Sequence, residues 1–129
     1  MLKFKNAICC LVLVLFIANT GVAKPMACHE QKDQNSQNQC IENQYNLAQK
    51  ALDALIVKAT KDYFTDVEIF NKHLQAWNGF RKEHCEMQTA EWGSGSMGNF
   101  IYMSCMDRLT QAKIQELNAI LNYSKTLAE

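Results

Sequence analysis

The sequence predicts an all-α protein: a small antiparallel bundle of three long helices, with a pinned N-terminal segment and two disulfide staples. Two patterns carry that expectation. Apolar residues recur at alternating three- and four-residue steps over three long stretches, and no alternating strand pattern of useful length interrupts them. Four cysteines follow an apolar leader, two near the start of the first helix and two flanking a Gly/Ser-rich break between the second and third.

The leader comes first. Lys3 and Lys5 precede an almost purely apolar run from Ala7 to Ala18, and Gly21-Val22-Ala23 places small residues where a signal peptidase reads. Residues 1–23 are therefore expected to be a signal peptide and residues 24–129 the mature domain. The apolar run is about half the roughly 20 residues that a membrane helix requires, which argues against a stable membrane anchor. A lipid-bearing cysteine needs small residues just ahead of it. Cys9 follows Ile8 and Cys10 follows Cys9, neither of which fits, and Cys28 after Met26-Ala27 fits weakly.

Export places the remaining cysteines in an oxidising compartment, periplasmic or secreted. Cys28, Cys40, Cys85 and Cys105 allow three pairings. Cys28–Cys40 and Cys85–Cys105 are the expected ones, because each joins segments that a short connection already brings together. A Cys40–Cys85 linked peptide would overturn this.

Lys24 to Gln39 is polar and Gln/Asn-rich, with the only proline at Pro25. It reads as a loop or short turn tethered by Cys28. From Cys40 the spacing of Ile41, Tyr45, Ala48, Leu52, Leu55 and Ala59 predicts a helix reaching Thr60 or Tyr63. Thr65-Asp66-Val67-Glu68 matches a capping box with Thr65 as the cap. The second helix follows, with Phe70, Leu74, Trp77, Arg81 and Cys85 on one face. Gly79 inside it costs about 1 kcal/mol relative to alanine, and a closely packed neighbouring helix would explain it. Gly93-Ser94-Gly95-Ser96-Met97-Gly98 then reads as a mobile loop. From Asn99 a third helix is expected to run to near Leu127, its stripe passing from Ile101, Cys105, Leu109 and Ala112 to Leu117, Ile120 and Leu121.

Composition excludes some functions. The whole chain has 13 basic and 13 acidic residues, and losing Lys3 and Lys5 tips the mature domain slightly acidic. No Lys/Arg cluster offers a nucleic-acid footprint.

The break reads G-x-G-x-x-G through Gly93, Gly95 and Gly98, but no strand precedes it, as a dinucleotide fingerprint requires. It is no P-loop, since Asn99-Phe100 follow in place of Lys and Ser/Thr. It is no nucleophile elbow either, because neither Ser94 nor Ser96 has glycines two residues away on both sides. Backbone N–H groups from Gly95 to Asn99, at a helix start, are candidate donors to an anion or carboxylate. The competing reading is a tight reversal beneath the Cys85–Cys105 bridge. Trp92 beside it is either a lid over the core or an exposed anchor.

His73 and His84 fall on nearly the same helix face, but His29 and His84 adjoin cysteines that should be oxidised, so no metal site is expected. Arg81, one turn from Trp77, is expected to stack on it or to pair with a carboxylate. No nucleophile–base–orienter set is legible, and neither catalysis nor a cofactor is expected. Tyr45, Tyr63, Tyr102 and Met103 read as packing.

The run Leu74-Gln75-Ala76-Trp77-Asn78-Gly79-Phe80-Arg81-Lys82-Glu83-His84-Cys85 resembles the signature of the LprI-like lysozyme inhibitor family. The Gly/Ser loop follows, then Cys105-Met106-Asp107-Arg108-Leu109-Thr110-Gln111-Ala112-Lys113. Upstream, Asn38-Gln39-Cys40 opens a helix carrying Leu52-Asp53. Lys113 stands where arginine is usual, and Asp53 where asparagine is frequent.

The resemblance covers most of the mature chain and implies an exported, disulfide-linked helical domain. It also implies a protein partner, lysozyme or another wall hydrolase. On this reading Trp92, Gly93, Ser94, Gly95, Ser96, Met97 and Asn99 form the binding loop. Trp77, Arg81, Leu109, Thr110 and Lys113 form its structural motif. The alternatives are a module for a small anionic or wall-derived ligand and an immunity protein for another envelope toxin.

Overall fold

The computed structural model describes residues 27–128, so the expected leader, residues 1–23, lies outside the described residues. A short 3-10 turn, Cys28–Glu30, leads into α1 (Gln34–Asp62), α2 (Val67–Thr89) and α3 (Ser96–Ala128). Short connections make consecutive helices antiparallel. The Asn38 side chain near the start of α1 donates to Ser96 Oγ at 2.7 Å and to the Ser96 carbonyl at 3.1 Å. The first turns of α1 and α3 therefore lie together, and these two helices run in the same direction. Helix α3 packs against both of the others and is the spine of the bundle.

Both disulfides form as expected. Cys28–Cys40 closes at an S–S distance of 2.03 Å and Cys85–Cys105 at 2.07 Å. The first holds the N-terminal turn on α1, helped by Gln37 Nε2 donating to the His29 and Gln31 carbonyls. The second joins α2 to α3. Each is worth about 3 kcal/mol on the chain-entropy account.

Three boundaries differ from the sequence-based expectation, each for a local reason. Helix α1 begins at Gln34, six residues before Cys40, because the Asp33 carboxylate accepts from Ser36 N at 2.8 Å and caps it. That bond holds the Asp33 carboxyl below the ordinary carboxylate range. Helix α2 is capped by Asp66, which accepts from Ile69 N at 3.0 Å, and not by Thr65. Glu68, released from a capping box, pairs with Lys72 at 2.8 Å. Helix α3 starts at Ser96, since Asn99 N–H already donates to the Gly95 carbonyl at 3.0 Å. The expected Gly/Ser loop is thus shorter than six residues.

The core has two apolar clusters. Leu52, Ala59, Phe70, Leu74, Leu117 and Leu121 fill the half of the bundle near the α1–α2 turn. Leu52 and Leu117 are fully buried there, each contributing about 1.5–3 kcal/mol. Met106 packs with the Cys85–Cys105 bridge at the other end, against Tyr45, Tyr102 and Leu109.

Between the clusters the buried α3 positions are Thr110 and Lys113. The predicted stripe ran through Leu109 and Ala112 instead; Leu109 is half-buried and Ala112 exposed. The stripe turns by one residue because Thr110 and Lys113 meet polar partners from α2, Arg81 and His73. Gly79 is a second correction: a side-chain carbon there would meet nothing within 4 Å, so no close helix explains it.

Candidate functional site

At the C-terminal end of α2 the chain reverses within a few residues. A single 3-10 turn, Ala90–Trp92, leads to Gly93, which turns the chain with φ 66°. This left-handed backbone favours glycine, since a Cβ would collide with its own carbonyl. Gly98 is needed for a different reason: a Cβ on it would run into the Gly93 carbonyl oxygen. The start of α3 therefore rests directly on the turn.

Three further restraints hold the reversal. The Cys85–Cys105 bridge lies beneath it, the Thr89 hydroxyl donates to the Cys85 carbonyl at 2.6 Å, and Asn38 grips Ser96 from α1. The expectation of a mobile loop gives way to a braced turn.

What that turn presents is apolar and small. Trp92 is 56% exposed, so it does not lie as a lid over the core. Met97 and Met87 are also exposed, and so are Gly93, Ser94, Gly95 and Ser96. A depression of about 270 Å³, bordered by Glu86, Thr89, Gly93, Ser94 and Tyr102, lies next to them. Asn99 contributes an exposed side chain, but its N–H is committed to Gly95. It is therefore not among the donors open to a ligand.

The second group of expected residues forms the buried layer under this end. Arg81 is 7% exposed and stacks on Trp77, with the guanidinium carbon 4.5 Å from the ring centroid. Its Nη1 donates to Thr110 Oγ1 at 2.7 Å and Gln49 Oε1 at 2.9 Å, and its Nη2 to Asn78 Oδ1 at 3.0 Å. Of the two partners expected for Arg81, the ring is the one it takes. No ion pair among the described residues involves it.

Thr110 is fully buried and passes the chain of bonds on, donating to the Met106 carbonyl at 2.7 Å. Lys113 lies 5.3 Å from the other part of the Trp77 surroundings, the ring centroid, and bonds Glu116 at 2.6 Å and His73 Nε2 at 3.1 Å. An ammonium only donates, so His73 accepts there. Trp77, Arg81, Thr110 and Lys113 are thus one unit, and Leu109 packs beside the bridge.

Gln49, Asn78, His73 and Asn38 belong to this architecture, and the sequence assigned none of them these partners. Each is an ordinary polar residue at the edge of its helix's apolar stripe, and no spacing rule separates it from a solvated neighbour. The layer is structural in its chemistry: Arg81 Nη1 and Nη2, Thr110 and Lys113 all bond within the protein, and only Arg81 Nε in it is buried without a partner. Among the described residues no group of three His, Cys, Asp or Glu side chains is placed to hold a metal.

Asp107 is the one carboxyl here with a raised pKa. Burial disfavours its charge, and a hydrogen bond with Gln111 offsets this in part. Its Oδ1 is buried without a partner.

A family model described as "Lysozyme inhibitor LprI" matches residues 28–117. The match runs from the first bridge through the reversal and the Arg81 layer to Leu117 in α3. Comparison with curated proteins and with solved structures finds no match.

Proposed function

The chain belongs to the lysozyme inhibitor LprI family, and on that premise we propose that it is an exported, non-enzymatic protein that binds and blocks lysozyme or a related wall hydrolase. The braced turn from Trp92 to Met97 is the surface that enters the enzyme cleft. The observation that carries this reading is a half-exposed tryptophan on a reversal held by a disulfide, a glycine contact and a cross-helix hydrogen bond.

Binding energy in protein interfaces concentrates on a few aromatic anchors, and a surface held in its bound shape loses little entropy on docking. Trp92 supplies the buried area, Met97 and Met87 widen it, and the glycines let the backbone approach closely. Hydrolases of this kind work with two carboxyl groups flanking the scissile bond. The first-turn N–H groups of α3 point their partial positive charge toward such a pair.

A small-ligand role for the same turn is less well supported. The adjoining depression, about 270 Å³, is smaller than ordinary ligand pockets of roughly 300–1,000 Å³. Export, with residues 1–23 removed as a signal peptide, places the protein in the periplasm or outside the cell. Among the described residues no helix is long and apolar enough to cross a membrane.

The test is a turbidity assay of wall lysis with the purified mature protein, run against several lysozyme types. Protection that titrates with the protein is expected. Undiminished lysis by every type at large molar excess would remove the proposal.

A further inference from the structure

A second concave surface lies at the opposite end of α2, about 35 Å from the braced turn for a helix of 23 residues. Its volume, about 590 Å³, falls within the range of small-molecule sites. The α1–α2 connection makes one wall and α3 the other. Three aromatic rings gather there. Phe64 stacks on Phe70 at 4.2 Å between centroids, and Tyr63 meets Phe64 edge-on at 4.7 Å. Leu117 and Ile120 add aliphatic surface, and Ile69, 66% exposed, stands at the rim.

The charged groups lining the cavity are Asp66 and Glu116, with His73 beside them. Glu116 is partly neutralised by Lys113, which bonds it at 2.6 Å but does not itself line the cavity. Asp66 accepts from Ile69 N through Oδ1 and forms no ion pair among the described residues. The cavity therefore combines aromatic rings, aliphatic walls and an exposed carboxylate that caps α2 and forms no ion pair among the described residues.

We propose that this cavity is a binding site for a small amphiphilic ammonium compound, an alkyl or aryl chain ending in a positive nitrogen. Aromatic faces attract a cation through their quadrupole, most strongly where water is displaced. Asp66 supplies the opposite charge, and Phe70, Leu117 and Ile120 take the apolar chain. An anionic headgroup on the same chain meets Asp66 and the negative ring faces, and is repelled. This reading is independent of the proposed hydrolase binding, which uses the other end of the molecule.

The test uses octyltrimethylammonium and octyl sulfate, both below their micellar concentrations, with the mature protein and isothermal titration calorimetry. Saturable binding of the ammonium compound is expected, at least about tenfold tighter than that of the sulfate. Asp66→Asn keeps the helix cap, since asparagine caps as well as aspartate. It should weaken ammonium binding by roughly three- to tenfold, with the melting temperature of the free protein little changed. Ile120→Trp, which fills the cavity, should abolish it. Equal binding of the two headgroups, no saturable ammonium binding, or an Asp66→Asn variant that binds as tightly as the parent would each overturn the proposal.

Discussion

Arg81 buries a full positive charge against neutral acceptors. Its guanidinium is held by Thr110, Gln49 and Asn78 and by the face of Trp77. A planar fork with five donors suits this arrangement, and an ammonium does not. Arg81→Lys keeps the charge but leaves buried acceptors unpaired, at a cost of about 1–3 kcal/mol. Urea denaturation of the two proteins should show that loss, and an unchanged midpoint would mean that these bonds do not hold the layer together.

Asp107 gives a prediction of the opposite sign. Burial raises its pKa in the folded state, so its contribution to stability is fully present below its ordinary value near 3.8. That contribution is lost as pH rises through the folded-state value. Asp107→Asn should therefore be more stable than the parent at pH 7, with the difference shrinking at pH 3. The sequence offered Arg81 two partners, Trp77 one helical turn away or a carboxylate, and the structure gives it the ring. The sequence did not show Thr110 or Gln49 as partners, because those contacts cross between helices.

The helices were legible because their apolar periodicity is strong, and their ends were less so. Cys40 looked like a natural start for α1, yet Asp33 provides a cap and the bridge holds the polar turn in place. Thr65 and Asp66 are both good caps, and only the geometry chooses Asp66. The Gly/Ser run looked like a flexible loop because glycine usually signals one. Gly98 is in fact helical, and its missing side chain serves a backbone contact with Gly93.

Gly79 shows the same ambiguity resolved the other way. It is helical, exposed and free of neighbours where a Cβ would stand. Gly79→Ala should raise stability by about 1 kcal/mol, read as a higher melting temperature. A destabilised variant would mean that the helix is constrained there by something other than its own propensity.

At the scale of the whole molecule, α3 is the spine, one disulfide ties α2 to it and the other holds the N-terminal turn on α1, and the bundle carries different surfaces at its two ends. The braced turn and its tryptophan lie at one end, and the aromatic cavity at the other. The turn was legible because cysteines, glycines and tryptophan are conspicuous in a sequence. The cavity was not, since Tyr63, Phe64, Phe70 and Ile120 look like core residues until the helices are assembled. Inhibition, on this account, belongs to the turn alone.

The most direct measurement is the inhibition constant of Trp92→Ala against that of the parent, on a lysozyme that the parent inhibits. Trp92 is largely outside the core, so the variant should keep its melting temperature and lose roughly tenfold or more in potency. Equal potency from an intact Trp92→Ala protein would contradict the assignment of the turn as the inhibitory surface.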